Sequence, residues 1–105
     1  MKNLDINPEH LKIIKTILQK HLPTNAIVWV FGSRAQRAKK KYSDLDLLIA
    51  INNYPLPSAT MIDLAEDFDE SDLPYKVDLV DWNSISESFR SHIQKNRIVL
   101  DWKNE

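Results

Sequence analysis

The stretch AIVWVFGSRAQRAKKKYSDLDLLIAI, residues 26–51, holds two apolar segments on either side of the chain's only glycine, Gly32. Residues 26–31 are aliphatic or aromatic, which is typical of a buried strand. Residues 44–51 form a second such segment, but it begins with two aspartates. This pattern predicts a strand, a break at the glycine and a second strand that starts with acidic residues. We therefore expect the glycine and the acidic side chains to lie close together, where the first strand ends and the second begins.

Helical and strand patterns alternate along the rest of the chain. Asn7, Pro8 and Glu9 have the residue types of a helix cap, a first helical residue and a first-turn acid. The expected helices cover residues 8–22, 33–38, 58–70 and about 84–96, and the further strands cover residues 75–81 and, as a short terminal strand, 97–102. This order predicts one α/β domain of the α+β type, residues 1–105, with a mixed sheet of three or four strands and about four helices.

Caps and helix faces can be assigned for the two later long helices. Ser58 is expected to cap the third helix, with Met61, Leu64, Ala65 and Phe68 on its inner face. The sequence Ser84-Ile85-Ser86-Glu87 matches a capping box that would open the fourth helix. Capping explains Ser84 and Ser86 better than nucleophilic catalysis does, because no histidine lies near them in the sequence.

The strand order follows from where the acidic residues lie. If the first strand ends at a site and the second begins there, the two strands run antiparallel. The helix between the second and third strands then makes a right-handed crossover, which leaves those two strands parallel. The expected sheet is therefore mixed.

The composition excludes several classes of protein. The net charge is −1, so the chain lacks the excess of basic residues that would predict nucleic-acid binding. The chain has no cysteine, which excludes disulfides and zinc-thiolate sites. Residues 1–6 contain no apolar segment typical of a signal peptide, and the longest apolar run, residues 47–51, is too short to span a bilayer. A cytoplasmic protein is expected, with no membrane partner.

The Gly32-Ser33 turn has the properties of a phosphate site. Glycine permits positive φ and close approach of a ligand to the backbone, and a helix start offers free N–H groups. Ser33 adds a hydroxyl donor, and Arg34 and Arg37 lie one helical turn apart, where they could reach anionic oxygens. A strand-to-helix turn that only needed glycine is the better explanation of Gly32-Ser33 when these two residues are taken alone.

Three aspartates form the candidate catalytic group. Asp44 and Asp46 are two residues apart and would point to the same face of a strand, where two carboxylates repel each other unless water or a cation compensates. Asp78 lies between apolar residues of the third strand and would reach this pair if the second and third strands are parallel neighbours. Oxygen-only ligands suit Mg²⁺ or Mn²⁺, and two such ions can assist an in-line phosphoryl transfer. Solvated carboxylates at a strand entrance are the simpler alternative for Asp44 and Asp46, and Asp81 is expected to be a turn or cap residue.

The chain resembles the DNA polymerase β-like nucleotidyltransferase superfamily in its motif. This motif is Gly-Ser, ten residues, Asp-x-Asp and an aspartate in a later strand. Gly32-Ser33-Arg34-Ala35 and Ser43-Asp44-Leu45-Asp46-Leu47 in so short a chain are similar to the minimal nucleotidyltransferases, the MNT or MntA group. The motif resemblance covers about residues 26–81. Many relatives have further glycines after the Arg-Ala step, where this chain reads Gln36-Arg37-Ala38-Lys39-Lys40-Lys41, so its loop conformation need not follow theirs.

The resemblance implies a role for each matching residue. Gly32 and Ser33 would hold the triphosphate of ATP, with Arg34 as the strongest further phosphate contact and Arg37 as a weaker one. Asp44 and Asp46 would bind two Mg²⁺ ions. Asp78 would complete the catalytic metal site and help to deprotonate the attacking hydroxyl.

The implied activity is transfer of a nucleoside monophosphate, AMP from ATP, to a hydroxyl acceptor. So small a chain leaves little room for an acceptor pocket, and the resemblance points to a HEPN-domain toxin as the partner, which MNT proteins counter as antitoxins. One alternative is a non-catalytic antitoxin that neutralises its partner by forming a complex. A small-molecule nucleotidyltransferase, such as an aminoglycoside-modifying enzyme, is a weaker alternative.

The remaining features have simpler explanations beside functional ones. The loop Lys39-Lys40-Lys41 would either contact a nucleotide or be solvated. The acidic third helix, residues 58–70, and its exit would be a solvated face or, less simply, a surface for a basic partner. Trp29 is expected in the core and Trp82 and Trp102 at its edge or at an interface. The three histidines, His10, His21 and His92, show no metal-ligand spacing and are expected at the surface.

Overall fold

A computed structural model describes residues 6–32 and 44–103 of the chain. The described residues form three α-helices, a four-stranded sheet and one short 3₁₀ helix. In chain order these are α1 (Pro8–His21), β1 (Ala26–Phe31), β2 (Leu45–Ile51), α2 (Ser58–Glu70), β3 (Val77–Asp81), the 3₁₀ helix (Trp82–Ser84), α3 (Glu87–Gln94) and β4 (Ile98–Leu100). The helix expected at residues 33–38 lies outside the described residues. No described helix is long and apolar enough to cross a membrane.

The sheet has the mixed topology that the sequence predicts. Its strand order is β3-β2-β1-β4. β1 pairs antiparallel with β2 and with β4, whereas β2 and β3 are parallel. The connection from β2 through α2 to β3 is therefore the expected crossover. The terminal strand is also confirmed, although it is shorter than residues 97–102.

One face of the sheet carries the hydrophobic core. Alternate strand residues such as Val28, Val30, Leu47 and Ile49 are fully buried there, in one cluster with apolar residues of α1 and α2. This alternation is the period-two pattern of a strand with one face packed against helices. The Trp102 side chain also belongs to this core, and its indole N–H donates to the Ala26 carbonyl over 3.1 Å.

On the opposite face of the sheet, the side chain of Arg97 stacks on the rings of Trp29 and Trp82. The Arg97 guanidinium lies 4.2 Å from the Trp29 ring centroid and 4.9 Å from that of Trp82. Stacking of this kind combines cation–π attraction with burial of the arginine stem. Trp29 is therefore half-buried on this second face and does not belong to the main core, contrary to the expectation from its apolar strand.

Several element ends differ from their expected positions by one to three residues. β2 begins at Leu45, so Asp44 precedes the strand, and β3 begins at Val77. Pro57 takes the cap position of α2, and Ser58 is the first helical residue. Along that helix Leu64 and Phe68 are buried as expected, but Ala65 is exposed because it lies past the edge of the packed stripe.

The capping box at the start of α3 is wrong by two residues. Ser86 is the cap, and its hydroxyl accepts from the Phe89 N–H over 3.2 Å. The Ser84 hydroxyl instead donates to the carboxylate of Asp81 over 2.8 Å. Ser84, the first serine of the expected box, therefore does not cap α3, because its hydroxyl is bonded to Asp81 instead.

Candidate nucleotidyltransferase site

Gly32 follows β1 directly and has a backbone conformation that favours glycine. Its φ is +75°, and a Cβ atom built on it would collide with the Oδ2 atom of Asp46. The strand pairing explains this close approach, because Phe31, the last residue of β1, lies opposite Asp46. A side chain at position 32 would therefore both strain the backbone and displace the Asp46 carboxylate.

Asp46 and Asp78 are neighbours across the parallel strands β2 and β3. Burial, the negative charges of Asp78 and Asp44, and a side-chain hydrogen bond with Asp78 raise the pKa of Asp46 to about 6. A negative charge beside Asp46 disfavours the ionised form of its carboxyl group unless a cation compensates. The expectation that Asp78 reaches the Asp46 position is met by the register of the strands.

Asp44 lies near this pair but does not converge with it. It is exposed and precedes β2, and its charge contributes to the raised pKa of Asp46. Among residues 6–32 and 44–103, no group of three Asp, Glu or His side chains is close enough to hold a metal ion together. The Asp46–Asp78 pair still suits a hard divalent cation, because its donors are all oxygens and its like charges are compensated only in part.

Lys76 is a site residue that the sequence reasoning missed. Its ammonium lies 3.4 Å from Oδ1 of Asp78, and its side chain is 68% exposed. Lys76 and Asp78 are two residues apart near the start of β3, so alternation along a strand would have placed them on one face. This exposed ammonium offsets part of the negative charge of the carboxylate pair.

A small cavity next to Gly32 was also missed. It has a volume of about 180 Å³ and is lined by Phe31 and Gly32 together with Phe89, His92, Ile93 and Asn96. α3 supplies half of this lining, and no sequence pattern indicated that α3 packs beside the end of β1. The cavity gives the glycine turn one apolar wall and two polar side chains.

Asp81 belongs to the architecture around the site. It is 7% exposed and accepts hydrogen bonds from the Leu56 N–H, the Asn83 N–H and the Ser84 hydroxyl. These contacts confirm the expectation that Asp81 is a turn or cap residue. The other expected ligand contacts, Ser33, Arg34, Arg37 and the loop Lys39-Lys40-Lys41, lie outside the described residues and stay predictions.

Comparison with known proteins agrees with the site and the fold. The family model described as Polymerase beta, Nucleotidyltransferase matches residues 12–105. The chain is 50% identical over 102 residues to the probable protein adenylyltransferase MntA of Haemophilus influenzae, covering 97% of this chain and 88% of that protein.

Solved structures of toxin–antitoxin pairs have the same fold. One, a toxin–antitoxin crystal structure with AMP-PNP, superposes with a TM-score of 0.69 at 25% identity, covering 85% of this chain and 70% of that one. Another is a complex of tri-AMPylated Shewanella oneidensis HEPN toxin with MNT antitoxin, with a TM-score of 0.61 over 85% of this chain and 70% of that one; at 20% identity it shows the fold alone. The family match, the 50% identical relative and the acidic pair beside a glycine turn lead to one conclusion: this chain belongs to the polymerase β-like nucleotidyltransferase family and is an enzyme of its MntA group.

Proposed function

We propose that this protein transfers AMP from ATP to a hydroxyl group on a partner HEPN-domain toxin and so acts as its antitoxin. The observation that carries the proposal is the Asp46–Asp78 pair, held by parallel strands directly beside Gly32. The Haemophilus influenzae relative is named for protein adenylylation, and the similar toxin–antitoxin structure contains an ATP analogue. A cytoplasmic location would supply both ATP and the partner.

The reaction is an in-line displacement at the α-phosphorus of ATP. The acceptor oxygen forms a bond to this phosphorus, the bond between the phosphorus and the oxygen bridging to the β-phosphate breaks, and pyrophosphate leaves. The hydroxyl proton passes to a carboxylate oxygen, for which Asp78 is placed at the edge strand with a side chain 39% exposed. A base has to lie within hydrogen-bond reach of the proton that it takes, and an edge position gives the acceptor access.

The triphosphate would lie along the glycine turn. Gly32 lets phosphate oxygens approach the backbone, and Ser33, Arg34 and Arg37 would add donors, with Arg34 the stronger arginine contact. Asp46 and Asp78 would hold Mg²⁺, or Mn²⁺, as oxygen ligands, and Asp44 would join them if its side chain turned toward the pair. When bound, the metal would offset the charge that builds up on the phosphate oxygens.

The test is AMP transfer by the purified protein to its HEPN-domain partner with labelled ATP and Mg²⁺. Asp46→Asn and Asp78→Asn should each lower kcat at least about 100-fold, which corresponds to about 2.7 kcal/mol of activation free energy. Asp72→Asn, at an exposed position outside the site, is the matched control and should leave the rate unchanged. Full transfer by the Asp46→Asn/Asp78→Asn double variant would exclude this mechanism.

A second candidate function is neutralisation by complex formation alone. It is favoured by one observation, namely that no three acidic or histidine side chains among the described residues converge on a metal position. In that case the double variant, folded but without transfer activity, should still suppress the toxin in cells. If growth instead fails with the double variant and returns with the Asp72→Asn control, neutralisation requires the carboxylates.

A further inference from the structure

An apolar groove runs along the open edge of the sheet, next to the candidate site. β3 is an outer strand, and residues of β3, α2 and α3 line the groove together. The groove has a volume of about 540 Å³, and its apolar lining includes Met61 and Ile62 of α2, Val80 of β3, Ile85, and Phe89 of α3. Natural proteins usually protect their edge strands. An uncovered edge strand next to exposed apolar side chains is therefore a surface suited to binding another protein.

The rim of the groove exposes large apolar side chains to solvent. Ile62 is 59% exposed and Phe89 is 38% exposed. They are two of only five exposed large hydrophobic residues among the described ones, and they line the same groove. An isolated exposed apolar residue needs no explanation, but two that line one groove offer a partner an anchoring site.

The stretch of sequence that supplies the groove is strongly acidic, although the groove lining itself contains one charged residue, the buried Asp81. Residues 42–89 contain eleven acidic residues and a single basic one, Lys76, whereas the rest of the chain contains four acidic and thirteen basic residues. On α2 the exposed Asp63 follows Ile62, and Glu66 lies one helical turn beyond it. Arg90 follows Phe89 on α3, and its guanidinium is engaged with Trp82 through a hydrogen bond to the Trp82 carbonyl and a ring contact.

These charges select the kind of partner that can bind. A second copy would bring the same acidic surface against this one if it docked through the same groove, and like charges in contact oppose association. A basic surface gains attraction at the rim and faster encounter, while an apolar side chain fills the groove. The occupant that fits is a protein segment with one apolar side chain between lysines or arginines.

The groove also lies close to the reacting groups. Val80 lines it and is two residues beyond Asp78 on the same strand, which corresponds to about 7 Å along β3. A segment seated in the groove can therefore present a neighbouring hydroxyl to Asp78.

We propose that this groove is the docking site of the acceptor protein, which binds it through an apolar residue flanked by basic ones. The inference rests on the proposed function for the identity of the partner, but it concerns binding and can be measured apart from transfer. It assigns specificity to α2 and α3, which hold none of the carboxylates proposed for catalysis.

The experiment measures the Kd of the HEPN-domain protein for the full chain and, in parallel, the KM values for AMP transfer. Ile62→Glu should weaken binding and raise the KM for the acceptor at least about tenfold, with the KM for ATP unchanged. Val99→Glu is the matched control, because Val99 is equally exposed at 62% but lies on β4, at the far edge of the sheet. Both positions are open to solvent, so unchanged thermal unfolding is expected and is checked for each variant.

A charge-reversal pair tests the rim separately. Glu66→Lys should weaken binding and reduce its dependence on salt, whereas Glu9→Lys, the same charge change on α1, should not. Equal Kd values for Ile62→Glu, Val99→Glu and the unmodified chain would overturn the docking site, as would self-association that Ile62→Glu abolishes. Binding that fails in Ile62→Glu, in a protein that transfers no AMP even when unmodified, would overturn the proposed function and support the docking site.

Discussion

Gly32 connects the local backbone to the chemistry of the site. It is the only glycine in 105 residues, its φ is +75°, and the space that a Cβ would fill is taken by the Asp46 carboxylate. Asn52 is the only other described residue with positive φ, at 49°, and it lies in the turn after β2. The two positions share a backbone requirement, but only one of them faces the acidic pair.

Gly32→Ala should therefore cost both stability and activity. A left-handed residue with a Cβ loses about 1–2 kcal/mol, so the free energy of unfolding in urea should fall by about this amount. Because the new Cβ also displaces Asp46, AMP transfer should fall well beyond what the loss of folded protein explains. Asn52→Ala is the control and should lower stability by a similar amount while leaving the transfer rate per folded molecule unchanged. Equal activity of the two variants would show that the Cβ does not disturb Asp46.

At the scale of elements, the sequence predicted the arrangement that brings the carboxylates together. Runs of apolar residues identified β1, β2 and β3, and the crossover rule made β2 and β3 parallel, which places Asp78 beside Asp46. It did not predict the cavity at Gly32, because packing of α3 against the end of β1 depends on tertiary contacts that no local pattern encodes. Phe89 and His92 could not be recognised as site neighbours for the same reason.

Capping assignments failed where two acceptors competed for one serine. Ser84 matched a capping box by its spacing to Glu87, yet its hydroxyl donates to Asp81, and Ser86 caps α3. A spacing rule considers each helix start by itself. In the folded protein a buried acceptor such as the Asp81 carboxylate needs hydrogen-bond donors, and Ser84 is one of them. Asp81 is thus the residue around which the end of β3, the 3₁₀ helix and the segment before α2 are organised.

Asp81→Ala should be strongly destabilising for this reason. The change leaves the buried Leu56 N–H without its acceptor and removes the cap of the 3₁₀ helix, so a loss of about 2–4 kcal/mol is expected. Urea unfolding followed by circular dichroism measures it. Asp72→Ala, at an exposed position, should change the free energy of unfolding by less than about 0.5 kcal/mol. A loss for Asp81→Ala as small as that of Asp72→Ala would show that water replaces the carboxylate.

At the scale of the molecule, the two faces of the sheet have separate tasks. One face packs against α1 and α2 and holds most of the buried apolar residues. The other face carries Asp46 and Asp78 at one end and the Trp29–Arg97–Trp82 stack further along the strands. Substitutions on the first face should act through stability, whereas those near the carboxylates should act on chemistry.

An ionic contact joins α1 and α2 beside their shared apolar core. Nε2 of His21, in the last turn of α1, lies 2.6 Å from Oδ2 of Asp67 on α2, and the Lys20 ammonium lies 3.5 Å from the same oxygen. The hydrogen bond with His21, followed by the attraction of Lys20 and His21, lowers the pKa of Asp67 below its ordinary value. The unfolded chain therefore takes up a proton on Asp67 at a higher pH than the folded protein does.

Asp67→Asn should accordingly destabilise the protein in a pH-dependent way. A lowered folded-state pKa contributes stability above the ordinary value of about 3.9, and this contribution is lost as the pH falls through the folded-state value. Urea unfolding at pH 7, 5, 4 and 3 should give the unmodified protein a larger free energy of unfolding than Asp67→Asn at pH 7 and 5. The difference between the two proteins should shrink from pH 4 downward. Asp69→Asn, at an exposed position on the same helix, should show no such convergence. If the difference for Asp67→Asn stayed constant down to pH 3, the contact would stabilise the helix pair through packing and neutral hydrogen bonding instead of through charge.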